Sequence, residues 1–515
     1  MTPKSGRSTP LQSVAMPFGA RSDLVSRRSL LLGLGAVPLA MPLAGCAPGP
    51  DYVPPGFGFL SRYGHSPDVP PVLLRNTAWW QGLDDPVLNQ LLALALAGNL
   101  TLSSARERVT EAQALRQSVP GAAVLSPSAQ ARVSGSDTSG PDLQSTVQLG
   151  LGWMLDPYGA RRQELRAADA RIDMSAAEVD AARLLVLYNM ANAYTALRYS
   201  QRIAALAQAE LDSRLQTLAL TRRLADAESA TRLDIIRSEA RVADIRAGLP
   251  DQQGAISIKL NEIAVLAGMT PGTLPAGLMQ ALGSGNIPRP RLSPQVGIPA
   301  DLLRNRPDIR IAERRYYAAV AQIGVAEAAL YPSLSLTGTI SLDALNGGGR
   351  AAQYFFGPVV QFPALPLRGR ATVAARRAAA RQEHEAWKST VLSAILEVEN
   401  ALVDYQAVAA AMQSTAQADR LYREALDLTR TVFEQGEATL GDLIDAQEAV
   451  AGADRALAGM TLRHAQSFIA LNVRLGAGGG AEAGQATDTP PQAGQASDLP
   501  PQAGQASDLP PQAGP

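Results

Sequence analysis

Residues 161–225 contain no proline, and as one straight helix they would run about 97 Å. An ordinary globular domain is far shorter than that, so this chain cannot fold around one compact core. The stretch is rich in Ala, Leu, Arg, Glu and Gln, all good helix formers. A helical partner starts at Thr231 after the short segment 226–230, and Gly248-Leu249-Pro250 is expected to interrupt it. The pattern recurs at 368–433 and 440–475. Within the first of these, Leu421, Ala425, Leu428 and Val432 have the 4, 3, 4 spacing of a coiled-coil seam. Residues 302–330 also read as helix, with Pro307 suited to a first turn and Tyr331-Pro332 as the stop.

Four other segments alternate with the period of a strand. In 333–342 every apolar side chain falls on an even number and every hydroxyl on an odd one. Residues 143–155 set Leu143, Val147, Leu149, Leu151, Trp153 and Leu155 against Gln144, Thr146 and Gln148. Residues 126–135 alternate more weakly, and 354–362 place Tyr354, Phe356, Val360 and Phe362 in register. Turn-rich 135–142 and 343–350 would join them as two hairpins. Segments of this length, apolar on one side and polar on the other, fit a lipid-facing barrel with a wet lumen. An ordinary half-buried sheet gives the same alternation. No stretch after the amino terminus reads as a spanning helix: the least charged, 86–105, carries Asn89, Gln90, Asn99, Thr101, Ser103 and Ser104 and reads as an amphipathic helix. Any membrane crossing by the body of the chain must therefore use strands.

Landmarks in the two halves match. Pro127 pairs with Pro332, Gly159 with Gly369, Thr231 with Thr439 and Gly268 with Gly476, at separations of 205, 210, 208 and 208 residues. This is the mark of an internal duplication, a helix–strand–strand–helix unit used twice. Four strands cannot close a barrel, and open edges do not survive in lipid. The chain must oligomerise; two copies would supply eight strands and three would supply twelve.

Residues 1–28 are polar and basic, and 29–45 are apolar apart from Ser29 and broken by Pro38 and Pro42, as in a signal peptide. Ser26-Arg27-Arg28-Ser29-Leu30 resembles a twin-arginine export signal, although Arg27 and Arg28 also suit a general secretory one. Leu43-Ala44-Gly45-Cys46 resembles the bacterial lipobox, and Cys46 is the only cysteine in 515 residues. That resemblance implies lipidation of Cys46, and Ala47 in place of aspartate implies sorting to the outer membrane. With 46 basic against 47 acidic residues, the chain lacks the basic excess of a nucleic-acid binder. One cysteine and three scattered histidines, His65, His384 and His464, give no metal or cofactor site. No phosphate loop or nucleophile elbow points to an enzyme.

The chain resembles outer-membrane efflux lipoproteins of the NodT type, in the wider TolC superfamily. The resemblance rests on Cys46 with Gly49-Pro50-Asp51-Tyr52-Val53-Pro54-Pro55, on Trp79-Trp80 with Asp85-Pro86-Val87-Leu88, and on Leu155-Asp156-Pro157-Tyr158-Gly159. In the second half Leu302-Leu303-Arg304-Asn305-Arg306-Pro307-Asp308, the run 323–334 and Gly436-Glu437-Ala438-Thr439 through Asp445-Ala446 carry it. It covers roughly 46–476 and implies a homotrimer, mainly α-helical with a 12-stranded membrane β-barrel above a long periplasmic α-helical barrel. Such channels are not enzymes. They pass drugs, solvents or metal ions outward when docked to a periplasmic adaptor and an inner-membrane pump of the resistance-nodulation-division class.

The expected organisation is a signal peptide at 1–45, a lipidated segment at 46–83, repeats at 84–268 and 302–476 joined by a linker at 269–301, and a disordered tail. That tail, 477–515, repeats a ten-residue Pro/Gln/Ala/Gly motif without aromatics. Asp442 and Asp445 sit three apart on one helical face past the second helix–turn–helix tip. Threefold symmetry would stack them as two acidic rings, a cation-sensitive constriction. By resemblance they match the family's periplasmic aperture aspartates, with Asp234 at the equivalent place in the first repeat and Arg237 where Asp445 would stand. Arg237 could latch the aperture by pairing with a neighbouring aspartate. Gly436 and Thr439, with Ser229 and Thr231 opposite, are the candidate adaptor-contact tips. A lipid-anchored coiled-coil scaffold would leave the strands without a role. A type I secretion duct shares the channel architecture but not the lipobox or Trp79-Trp80.

Overall fold

The computed structural model describes residues 50, 52–65, 78–121, 123–136, 139–291, 296–344, 350–363 and 366–479, all within the unit 47–515. Cys46, Arg27 and Arg28, the signal segment and residues 480–515 of the tail lie outside the described residues. Helices α1 (Pro86–Gly98) and α2 (Leu100–Gln117) lead to strands β1 (Ala123–Ser136) and β2 (Ser139–Leu155). Then come α3 (Ala160–Asp226) and α4 (Arg232–Leu266), a linker with the short helix α5 (Ala276–Leu282), and α6 (Leu302–Asn305). The second repeat continues with α7 (Pro307–Ala328), β3 (Ser333–Ala344), β4 (Arg350–Gln361), α8 (Pro366–Glu434) and α9 (Leu440–Arg474).

The expected elements are present, with differences at three helices and in strand length. Residues 86–117 break at Asn99, whose extended backbone ends α1 and whose side chain caps α2. Residues 302–330 likewise divide, because Arg306 precedes Pro307 and takes an extended conformation (φ −87°, ψ 117°). The opposite departure occurs in α4, which runs unbroken through Pro250. There Leu249 packs with Leu211, Leu218 and Val242 against α3, which holds the helix across the missing amide. Strands β1 and β2 are longer than the alternation suggests, pairing out to Ser136↔Ser139.

The sheet is antiparallel in the order β1-β2-β3-β4, and its register aligns the apolar positions on one face. Leu125 pairs with Leu151 and Pro127 with Leu149; Leu149 pairs onward with Ile340, Val147 with Leu342 and Trp153 with Leu336; Ile340 pairs with Tyr354 and Leu334 with Val360. Val147, Leu149, Trp153, Ile340, Tyr354, Phe356 and Phe362 are exposed. The opposite face carries Gln148, Ser335, Thr337, Thr339 and Ser341, interrupted by exposed Met154 and Phe355.

The helices form four side-by-side columns that continue the strands in the same order. α3 packs on α4 and α2 along one flank and on α9 and α7 along the other, and α8 packs on α9 and α7. The columns are thus α4 with α2 leading into β1, α3 out of β2, α9 with α7 leading into β3, and α8 out of β4. Two composite columns are made by abutting a helix C-terminus on a helix N-terminus. At the first joint the Asn99 amide donates to the Leu266 carbonyl (2.8 Å) while its oxygen accepts from the Thr101 and Leu102 amides. Gly268, at φ +75°, leaves no room for a Cβ, which would lie 2.0 Å from the Gly98 carbonyl. At the second joint Arg306 donates to the Arg474 carbonyl (3.0 Å), and a Cβ on Gly476 (φ +79°) would meet the Asn305 carbonyl at 2.5 Å. The aligned helix dipoles, negative C-terminal end against positive N-terminal end, favour both contacts.

The largest buried cluster joins the amino-terminal helices to the columns. Trp79, Leu83, Leu88, Leu91 and Leu92 pack on Leu187, Met190 and Tyr194 of α3. Asp85 caps α1 through the Val87 and Leu88 amides and accepts the Tyr194 hydroxyl (2.6 Å), which explains the Asp-Pro-Val-Leu motif. Residues 52–65 run along α7 and α8: the Tyr52 hydroxyl donates to Glu313, Tyr63 joins Trp387, Val391 and Val398, and His65 pairs with Glu399.

Candidate functional site

Both helix–turn–helix tips are built the same way. α3 ends in a Schellman turn, in which Ser229 N–H donates to the Leu224 carbonyl (2.7 Å) and Glu228 N–H to Ala225 (3.0 Å). α8 ends identically through Glu437 to Val432 (3.0 Å) and Gly436 to Phe433 (3.0 Å). The left-handed residue is Glu228 in the first tip (φ 58°) and Gly436 in the second (φ +79°). Gly436 thus ends α8 in the left-handed conformation that glycine takes without strain. The matching Glu228 was not foreseen, since nothing in its type marks a left-handed position; only the 208-residue offset from Gly436 identifies it.

Each following helix opens with a capping box. Thr231 Oγ1 accepts from the Asp234 amide (3.2 Å), and the Asp234 carboxylate accepts from the Thr231 amide (2.9 Å) and hydroxyl (2.6 Å). Thr439 and Asp442 repeat this at 3.2, 2.8 and 2.6 Å. Hydrogen bonds from the threonine hydroxyl and then its amide hold both carboxyls below the ordinary aspartate range, with a smaller contribution from Arg237 at Asp234. Asp442, Asp445 and Arg237 are exposed at the surface of their helices. Among the described residues neither Asp445 nor Arg237 has an ion-pair partner in its own chain. The expected four-residue aperture set is thus divided between two tips, and within one chain Asp442 is engaged with its own cap while Asp445 is not.

Behind the tips the interface between the repeats is charged. Arg214, buried on α3, donates to Gln447 Oε1 (3.2 Å), which Thr217 also shares, and pairs with Glu448 (3.5 Å). Glu448 also pairs with Arg241 of α4 (3.3 Å). Arg455 meets Glu210, and Asp454 is held between Arg423 and Arg202. Sequence reasoning missed this belt because most of its pairs join the two repeats across more than 200 residues, with no local pattern to join them.

The edge columns expose apolar stripes. Leu421 and Leu428 of α8 are 56% and 62% exposed, so the coiled-coil seam has no partner within the chain. α4 presents Leu233, Ile236, Ile258 and Val265 in the same way.

Comparison with known proteins agrees with this architecture. The family model described as "Outer membrane efflux protein" matches residues 91–269 and again 298–477, an offset of about 208 residues at the end of each repeat. Nodulation protein T of Rhizobium leguminosarum bv. trifolii is 34% identical over 448 residues, covering 85% of this chain and 95% of that protein. The pyoverdine export outer membrane protein OpmQ of Pseudomonas aeruginosa is 30% identical over 428 residues, covering 78% and 87%. Among solved structures, the outer-membrane channel OprN superposes with a TM-score of 0.76 at 29% identity, covering 84% of this chain and all of that one. VceC of Vibrio cholerae gives 0.67 at 26% identity, covering 78% and 100%. The chain belongs to the outer membrane efflux protein family.

Proposed function

We propose that three copies of this chain form the exit duct of a tripartite pump, docking through their tips to a periplasmic adaptor and an inner-membrane pump of the resistance-nodulation-division class. One observation carries the reading: four helical columns continue, strand for strand, into a sheet whose aligned apolar face is exposed. A lipid-anchored scaffold has no use for such a face. Three copies supply twelve strands and bury the stripes on α8 and α4 against one another. Drugs, solvents or metal ions pass through, with selection made by the pump. Cys46 carries the lipid anchor, Asp442 and Asp445 ring the periplasmic aperture, and Arg237 of one copy latches to an aspartate of its neighbour. The turns at Ser229–Thr231 and Gly436–Thr439 meet the adaptor. Cysteines placed at Ser229 or Thr439 should cross-link to the adaptor in cells, whereas one at Leu149 on the barrel should not. Cross-linking from Leu149 alone, with efflux intact, would contradict tip docking.

A further inference from the structure

A cavity of about 300 Å³ opens where the amino-terminal segment meets α3 and α7. Pro50, Val320 and Ala321 supply its apolar wall; Tyr52, Tyr317, Gln163 and Arg166 supply its polar one. The Tyr52 hydroxyl is engaged with Glu313 at 2.8 Å. The other three polar groups are not engaged: among the described residues the Gln163 carboxamide, the Arg166 guanidinium and the Tyr317 hydroxyl have no side-chain hydrogen-bond or ion-pair partner. Gln163 is only 4% exposed, yet its carboxamide is not among the fully enclosed unpaired polar groups, so its hydrogen-bonding capacity is open to what enters the cavity. Close packing holds it there, since a Cβ on Gly324 would lie 2.7 Å from Gln163 Cγ.

The depth of the cavity narrows the ligand. Gln163 and Arg166 lie in the first two turns of α3, which begins at Ala160, four intervening residues after β2 ends at Leu155. Arg166 is thus roughly 9 Å below the start of that helix, about the thickness of a head-group layer beneath the barrel. Arg161 and Arg162 stand in the same turns, and the rings of Tyr158 and Tyr331 stack at 4.5 Å just above, as aromatic side chains do at a bilayer interface. Three donors with one fixed positive charge suit a phosphodiester, whose oxygens accept hydrogen bonds and whose charge Arg166 would neutralise.

We propose that this cavity binds the phosphate of a phospholipid in the leaflet that borders the periplasmic end of the barrel. Each protomer then holds one lipid head group between α3, α7 and the amino-terminal segment, pinning that segment close to the bilayer. The site goes beyond the transport reading and does not depend on which solute is exported.

The test uses the full-length trimer in detergent, delipidated and titrated with short-chain phosphatidylglycerol, with diacylglycerol of the same chain length and with inorganic phosphate. Wild type should bind phosphatidylglycerol at one site per protomer. Arg166→Ala should weaken that binding by about tenfold or more, the loss of one charge-assisted hydrogen bond, and Arg166→Lys should recover part of it. Intact trimer mass in each variant separates loss of the site from loss of the fold. Gly324→Ala, which displaces Gln163 without changing charge, should also weaken binding. Equal affinity of wild type and Arg166→Ala would overturn the proposal. So would diacylglycerol binding as tightly as the phospholipid, which would mark a site for the chain's own lipid anchor, or inorganic phosphate binding as tightly, which would remove the membrane from the account.

Discussion

Glu228 and Gly436 hold the same left-handed place in two copies of one turn, and only glycine does so without strain. Glu228→Gly should stabilise the first tip by about 1 kcal/mol, seen as slower amide exchange at Ser229 and Glu228; faster exchange would mean that the Glu228 side chain contributes more than its backbone costs. The capping boxes make a second prediction. Removing the threonine hydroxyl in Thr439→Ala should make the tip open about fivefold more often and return the Asp442 carboxyl toward its ordinary range. Because Thr439 depresses the folded-state value at Asp442, the cap's contribution is complete above the ordinary aspartate pKa of about 3.9 and fades as pH falls through the lower folded value. A carboxyl titration followed by NMR in both proteins checks this. At this scale the sequence is legible where glycine, proline or a Thr-x-x-Asp box announces the backbone, as at Gly436 and Thr439. It is silent where an ordinary residue adopts an uncommon conformation, as Glu228 does.

At the scale of elements the two joints show how four columns arise from helices of unequal length. Arg306 is nearly buried and pairs with Asp308 (2.6 Å) and Glu397 (2.9 Å), which also binds Arg474 (2.6 Å). Burial would raise the Glu397 pKa, but Arg474 and Arg306 outweigh it and hold the carboxyl below the usual range. The joint is therefore firm at neutral pH, above the ordinary glutamate pKa of about 4.3, and loosens as pH falls through the lower folded value. Arg306→Ala leaves Asp308 without its cation and Glu397 with Arg474 alone; because both carboxylates are partly exposed, it should destabilise the trimer by about 1–2 kcal/mol. A matching drop in its thermal midpoint at neutral pH, smaller in acid, would support this; no change at either pH would contradict it. The breaks at Asn99 and Arg306 differ in legibility. Pro307 marks the second in the sequence, whereas Asn99 caps α2 through the Thr101 and Leu102 amides within a segment whose periodicity reads as one helix, and the end of α4 that its amide meets arrives from 167 residues away. Pro250 misleads in the opposite direction, since contacts with α3 outweigh its local preference.

On the scale of the whole molecule, both edges are unfinished, in the sheet and in the helices below it. β1 and β4 are the outer strands of the sheet, and the columns below them carry the exposed stripes of α4 and α8. A single chain of this kind leaves both an open sheet edge in lipid and an unpaired helical seam in water, and only closure by further copies satisfies both. Replacing Leu421 and Leu428 together by aspartate should leave the chain helical but lower the trimer fraction, seen as a shift in native mass; an unchanged trimer would place the seam elsewhere. Alternation along the strands and the 208-residue offset made the barrel and the duplication readable in advance. The number of copies was not readable from alternation, because four strands permit several closures; the homotrimer is what the family resemblance implies.

Single-channel conductance of the purified protein in planar bilayers tests the duct most directly, with wild type beside the Asp442→Ala/Asp445→Ala double variant. The account predicts small, cation-selective wild-type currents that divalent cations block, and larger, unblocked currents once both carboxylate rings are gone. Silent bilayers from both proteins, in preparations shown to be folded and trimeric, would contradict it.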